Sequence, residues 1–163
     1  MGPEIRAVCD SGPIIHLTEI GCIEALKIAK SLLIPEEVLK EIRTKPSTIK
    51  AEKLQGKYKD IAKYLTTEYG IDLGEAEAIS LCIQQKISLL FTDDLEARAV
   101  AKHYNIEVHG TVGILIKAFA EGIISKNKAI EKLNSIRTES SLFITKDLID
   151  WSVKKIKGFK KTI

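Results

Sequence analysis

Four separated segments of this chain place carboxylates beside short apolar runs. They are Asp10, Glu41, Glu75 and the adjacent pair Asp93 and Asp94. Packed together without a cation, such groups would repel one another, and some would take up protons. Hard cations such as Mg²⁺ and Mn²⁺ prefer oxygen ligands and would remove that conflict. The chemistry that follows is phosphodiester hydrolysis by an activated water, for which no serine, cysteine or histidine nucleophile is required.

The elements that must position these carboxylates follow from hydrophobic periodicity and from helix start signals. Short apolar runs predict strands over 4–9, 31–34, 87–92 and 106–109. Helical spacing predicts helices over 14–20, 22–29, 35–42, 45–65, 74–85, 95–104, 110–120, 125–136 and 145–156. This alternation favours a parallel sheet covered on both faces. Ligands of such sheets bind beyond the carboxyl ends of the strands, and Asp10 and Asp93 each follow a predicted strand directly.

Length and composition predict one domain over residues 1–163, and the alternation of strands and helices makes it an α/β domain. A hydrophobic fraction of 45% is enough for a core. The βα core spans about 5–120, and a helical C-terminal extension spans about 121–163. No run approaches the roughly 20 apolar residues of a membrane span, and the N-terminus lacks a signal region. We therefore expect a soluble, cytoplasmic protein.

The net charge of +3 does not by itself indicate a nucleic-acid binder, but five lysines lie within 154–161. This segment is either a solvated tail or a phosphate-binding surface. Trp151 and Phe159 flank it, and we expect them to pack on the core rather than to stack on bases.

The cysteines and histidines show no spacing typical of a metal site. Cys9, Cys22 and Cys82 are odd in number and widely separated, which predicts reduced core thiols. We expect structural or surface roles for His16, His103 and His109.

Five segments in order resemble a PIN domain over about residues 5–120. They are Asp10-Ser11 after the first strand, IPEEVLKEI after the second, LGEAEAISL, LLFTDDLEARAVA, and GTVGIL near residue 110. The likeness is greatest to small archaeal and bacterial PIN-like proteins. It implies a three-layer α/β/α fold with a short parallel sheet of about four or five strands. It also implies a ribonuclease that cuts single-stranded RNA with Mg²⁺ or Mn²⁺, and many members are toxins of toxin–antitoxin pairs.

The resemblance assigns roles position by position. It implies catalytic roles for Asp10, Glu41, Glu75 and Asp93, and metal binding by Asp10, Glu75, Asp93 and Asp94. Asp93 is preferred over Asp94 as the fourth acidic residue because it directly follows the strand. Glu37 lies one helical turn before Glu41 and could take its place.

Three further residues have supporting roles. Ser11 and Thr111 match hydroxyl positions that orient a metal, its water or the substrate, although helix capping explains them equally well. Arg98 could pair with Asp94 on a helix face or contact a phosphate. Gly12 departs from relatives that carry a second hydroxyl residue at this place.

Other function classes remain open at this stage. The first alternative is a non-catalytic PIN-like module that binds RNA or a partner protein. A doubly wound phosphatase is disfavoured because Gly12 stands where an Asp-x-Asp pair would need its second aspartate. The family implies RNA as a ligand, an antitoxin protein as a partner and a homodimer as an assembly. The lack of a long apolar run predicts no membrane association.

Overall fold

The protein is built on a five-stranded, fully parallel sheet, seen in a computed structural model that describes residues 4–160. The strands are β1 (Arg6–Cys9), β2 (Ser31–Pro35), β3 (Ile49–Glu52), β4 (Leu89–Phe91) and β5 (Glu107–His109). Their order across the sheet is β3-β2-β1-β4-β5. In the central register, Val8 of β1 pairs with Leu33 on one side and with Leu90 on the other.

Helices connect the strands and cover the sheet. They are α1 (Ser11–Glu19), a 3-10 helix (Ile23–Ile28), α2 (Glu36–Glu41), α3 (Gly56–Tyr69), α4 (Leu73–Gln85), α5 (Leu95–His103), α6 (Thr111–Ala120), α7 (Lys126–Glu139) and α8 (Lys146–Lys157).

Alternation along the strands produces two apolar cores, one on each face of the sheet. On one face, Ala7 and Cys9 of β1 pack in a cluster with side chains from α1, α6, α7 and α8. On the other, Val8 packs in a cluster with side chains from α3, α4 and α5. The predicted three-layer α/β/α fold, with four or five parallel strands and C-terminal helices, is confirmed.

The direction of strand addition reverses at the centre of the sheet. From β1 the chain builds outward through β2 to β3, then returns to place β4 and β5 on the other side of β1. A crevice opens at such a reversal, beyond the carboxyl ends of the two central strands. Asp10 follows β1 there, and Asp93 and Asp94 follow β4.

The prediction of one helix over 45–65 is wrong in its first part. Residues 49–52 form the edge strand β3, paired with β2, and α3 begins only at Gly56. Ile49 alone is buried in this strand, so its sequence carries no apolar run. The segment predicted as a helix over 22–29 is a 3-10 helix, Ile23–Ile28.

The C-terminal segment divides into packed and exposed parts. Phe159 packs edge to face on Phe119, with 5.2 Å between ring centroids, as predicted. Trp151 instead remains 55% exposed, with the Lys155 ammonium 4.7 Å from its ring centroid. The lysine-rich segment is largely the last turn of α8, and its Lys161 lies outside the described residues.

The three cysteines are buried and free, as predicted for core thiols. Among residues 4–160, no helix has the length and apolar character needed to cross a bilayer.

Candidate active site

The structure brings all five predicted carboxylates to one cavity of about 300 Å³ at the reversal point of the sheet. Asp10 and the pair Asp93 and Asp94 reach it from the ends of β1 and β4. Glu41 reaches it from the last turn of α2, and Glu75 from the first turn of α4. Asp72, which precedes α4, adds a sixth carboxylate to the lining. Four chain segments therefore deliver like charges to one place.

Asp10 is the buried member of this group. Its backbone N–H donates to the carbonyl of Phe91 at 2.9 Å, which fixes it against β4. Its carboxylate accepts from the Ser11 N–H at 2.8 Å and from the Thr92 hydroxyl at 3.1 Å. Burial nevertheless raises the pKa of Asp10 to about 6, and the charges of Glu41 and Asp94 act in the same direction. Its negative charge is thus only partly compensated by the protein.

Glu75 has the same electrostatic character. One of its carboxylate oxygens accepts from the Asp72 N–H at 3.1 Å, which caps the start of α4. Burial raises its pKa to about 7, and the charges of Asp94 and Asp10 add to the effect. Glu75 therefore shares the excess negative charge of the cavity with Asp10.

Asp93 and Asp94 differ although they are adjacent in sequence. Asp93 accepts from the Thr111 N–H at 2.7 Å and from the Thr111 hydroxyl at 2.6 Å, and His16 Nδ1 lies 2.7 Å from it. Burial would raise the pKa of Asp93, but these hydrogen bonds outweigh it and hold the pKa below its usual value. Asp94 caps α5 by accepting from the Ala97 N–H at 2.8 Å. Of this pair, Asp94 is the one whose charge raises the pKa values of Asp10 and Glu75, although Glu41 has a larger effect than Asp94 on the pKa of Asp10.

Glu41 lies at the exposed mouth of the cavity and is held by contacts with α1 and α4. The Ser11 hydroxyl donates to Glu41 Oε2 at 2.7 Å. The other oxygen, Oε1, lies against Gly74, where an added Cβ would come within 2.3 Å of it. The Glu41 carboxylate can therefore approach the first turn of α4 only because residue 74 is a glycine.

The cavity also contains residues to which the sequence assigned no site role. His16 was expected in a structural or surface position, but its largely buried imidazole lines the cavity beside Asp93. Ser141, Leu142 and Phe143, from the loop between α7 and α8, form another wall. Glu19 anchors this loop by accepting hydrogen bonds from the Ser141 N–H at 2.9 Å and hydroxyl at 2.8 Å. A lone histidine and a loop distant in sequence carry no local signal that would have identified them.

Arg98 does not form the helix-face ion pair that was one of its two predicted roles. Its side chain makes no salt bridge with any carboxylate of residues 4–160. It lies beside Gly110, where an added Cβ would come 3.3 Å from Arg98 Nη1 and 2.7 Å from Asp93 Oδ1. The guanidinium is thus available to another acceptor at the edge of the cavity.

The donor set fits a hard divalent cation in type, since every carboxylate in the cavity offers oxygen ligands. The raised pKa values of Asp10 and Glu75 also show uncompensated charge that a cation would offset. Yet within residues 4–160 no three His, Cys, Asp or Glu side chains are already arranged to hold a metal ion. Cation binding therefore requires side chains such as Glu41 and Glu75 to adjust from the positions seen here.

A family model described as a PIN domain matches residues 6–157, which include the C-terminal helices as well as the sheet. No curated protein and no solved structure matches the chain significantly.

Proposed function

This chain belongs to the PIN-domain family, and we propose that it is a Mg²⁺- or Mn²⁺-dependent endoribonuclease that hydrolyses single-stranded RNA. PIN domains are generally nucleases. The main support for the finer proposal is the convergence of six carboxylates on one cavity, two of them with pKa values raised to about 6 and about 7. Such a site favours a cation, and a cation there favours a phosphodiester substrate over an uncharged one.

In this proposal Asp10, Glu75, Asp93 and Asp94 would hold the cation, because all four line the cavity and offer carboxylate oxygens. A bound divalent ion would supply an activated water and would offset charge on the leaving oxygen.

The chain's other residues would orient the reacting groups. Thr111 and His16 keep the Asp93 carboxylate fixed at the edge of the cavity. Ser11 keeps Glu41 at the mouth, where it can accept a hydrogen bond from water or from a ribose hydroxyl. Arg98 would contact a phosphate of the substrate.

Cleavage of a fluorescent single-stranded RNA with Mn²⁺ or Mg²⁺, with EDTA as the metal-free control, tests the proposal. We expect activity that Asp10→Asn abolishes, while Asp60→Asn, on the exposed face of α3, leaves it unchanged. Comparing Asp94→Asn with Asp93→Asn separates the two candidates for the fourth acidic residue. Asp94→Asn retains the cap of α5, so a loss of activity in this variant would indicate that Asp94 acts directly in the site.

A non-catalytic module is the second candidate, and one observation favours it. Thr111 and His16 already occupy the Asp93 carboxylate with protein hydrogen-bond contacts. Absence of cleavage across several RNAs, with the variants still folded, would support this candidate over the enzyme.

A toxin role is part of the proposal, with an antitoxin partner that inserts a basic side chain into the acidic cavity, and with a homodimer as the assembly. A basic side chain there would neutralise the cluster and exclude metal. Failure to recover a small co-encoded protein in a pull-down with the wild-type chain would count against the toxin role.

A further inference from the structure

A second, larger cavity of about 670 Å³ continues from the acidic one. Asp93, Leu142 and Phe143 line both, so the two form one depression in the surface. The remaining walls come from the start of α5, from the end of β5 and one side of α6, from the loop before α8 and from α8 itself. We call this second part the basic groove, for the charges described below.

Large apolar side chains in the basic groove are left in water. Phe143, on the border between the two cavities, is 93% exposed, and Leu95 is 76% exposed. Trp151 lies further along the groove and is more than half exposed. Clustered exposure of this kind marks a binding surface, because covering these apolar side chains removes their surface from water.

The charge of the surface reverses between the two cavities. Six carboxylates line the acidic cavity, whereas Arg98, Lys117 and Lys155 line the basic groove. Asp93 is the one carboxylate among the described residues that line this groove, and Thr111 and His16 already donate to or contact it. Lys155 places its ammonium over the Trp151 ring, so that a cation and an aromatic face are offered together.

We infer that the basic groove binds the part of a single-stranded nucleic acid that extends out of the acidic cavity. Bases would stack on Phe143 and Trp151, and phosphates would lie at Arg98, Lys117 and Lys155. Aromatic faces beside cations are what single-stranded chains require, since every base offers a face and every linkage a negative charge. The inference rests on the proposed function in one respect, namely that the strand continues from the acidic cavity. That continuity favours a polyanionic strand over a protein segment as the occupant.

Binding can be measured without cleavage, which keeps this test separate from the test of catalysis. The probe is a fluorescein-labelled 2′-O-methyl oligouridylate of about 12 nucleotides, within the usual size of single-strand sites, and EDTA is present throughout. Anisotropy reports its affinity for the full chain. Trp151 is the one tryptophan of the chain, so quenching of its fluorescence by the unlabelled oligonucleotide reports contact at the groove directly.

We expect Phe143→Ala and Trp151→Ala each to weaken binding by about fivefold or more, from the usual contribution of one stacked base. Phe143→Tyr keeps a ring and should bind like the wild type. Tyr64→Ala, an aromatic residue of similar exposure to Trp151 but on α3, is the matched control and should have no effect. Lys117→Ala and Lys155→Ala should each reduce the slope of log affinity against log salt by about 0.7, while Lys59→Ala on α3 should not.

Three results would overturn the inference. One is an oligonucleotide affinity that is the same in the wild type, Phe143→Ala and Trp151→Ala. Another is absence of binding and of tryptophan quenching at low salt. The third is self-association, or capture of a protein partner, that Phe143→Ala abolishes while strand binding persists. If cleavage occurs but these variants bind normally, the inference alone fails. If binding depends on Phe143 but no RNA is cut, the enzyme proposal alone fails.

Discussion

His16 Nδ1 lies 2.7 Å from a carboxylate oxygen of Asp93, a residue 77 positions later in the chain. The contact joins α1, which follows β1, to the turn that follows β4, across the reversal point of the sheet. Together with the two hydrogen bonds from Thr111, it fixes Asp93 in one orientation. Asp93 is therefore the most firmly held carboxylate of the cavity, in contrast to Glu41 at its mouth.

Removing this contact should impair catalysis without unfolding the protein. We expect His16→Ala to lower kcat by about 10- to 100-fold, the usual cost of losing a group that orients a ligand carboxylate. His16→Asn retains an N–H donor near the position of Nδ1 and should recover part of the loss. Single-turnover cleavage of RNA measures both, and His103→Ala, an exposed histidine of α5, is the control. Equal rates for wild type and His16→Ala would show that Thr111 alone orients Asp93.

Asp10 should reduce the stability of the metal-free protein at neutral pH. Its pKa is about 6 in the folded state and 3.8 as the ordinary value, so the folded state binds more protons between these values and stability falls as pH rises through them. We expect Asp10→Asn to raise the free energy of unfolding by about 1 to 3 kcal/mol at pH 8, and by little at pH 4. Urea unfolding in EDTA measures the difference, with Asp60→Asn as the exposed control. A destabilised Asp10→Asn at pH 8 would contradict this account.

Cation binding should depend on pH in the same range. Protons compete with a cation for Asp10 and Glu75, whose pKa values are about 6 and about 7, so affinity should fall as pH drops from 8 to 5.5. At 100 times its dissociation constant a ligand stabilises the folded state by about 2.7 kcal/mol. We therefore expect Mn²⁺ to raise Tm at pH 8, and the same concentration to raise it much less at pH 5.5. A shift that is independent of pH, or that survives in Asp10→Asn, would place the cation elsewhere.

Two glycines, each in the first turn of its helix, allow the role of Glu41 to be tested. Gly74→Ala would place a Cβ 2.3 Å from Glu41 Oε1, and the flexible carboxylate must then move away from Ser11. We expect cleavage to fall several-fold while Tm changes little, since alanine favours the helix by up to about 1 kcal/mol. Gly56→Ala, in the first turn of α3 with no atom within 4 Å of the added Cβ, should leave cleavage unchanged. Equal cleavage by the two variants would remove Glu41 from the mechanism.

The sequence was sufficient to predict the layers of the fold because buried parallel strands are short apolar runs that alternate with helices. β1 and β4 show this pattern, and each is followed by an aspartate: Asp10 comes directly after β1, and Asp93 comes after β4 with Thr92 between them. β3 could not be found in the same way. It lies at the edge of the sheet with Lys50 and Ala51 exposed, so pairing with β2 rather than side-chain burial defines it.

The acidic members of the site were predictable because their positions follow from strand ends and from the family resemblance. The differences between their pKa values could not be predicted in this way. Whether Asp93 or Asp94 acts more strongly on Asp10 depends on which one Thr111 and His16 engage, and those partners come from other elements. Phe143 could not be recognised either, because its loop reaches the site only through the packing of α7 and α8 and the anchor at Glu19.

The loop between α7 and α8 limits how far the cavity that it lines can widen. The helices on either side of it bury Leu133 and Ile149 in the same apolar cluster as Ala7 and Cys9 of the central strand. Lifting the hairpin of α7 and α8 to widen the cavity would therefore expose the interior of the protein to water. The helices that carry this wall are held by the core, so adjustment to substrates of different size falls to the opposite wall, where Glu41 and Glu75 can change rotamer by giving up one hydrogen bond each.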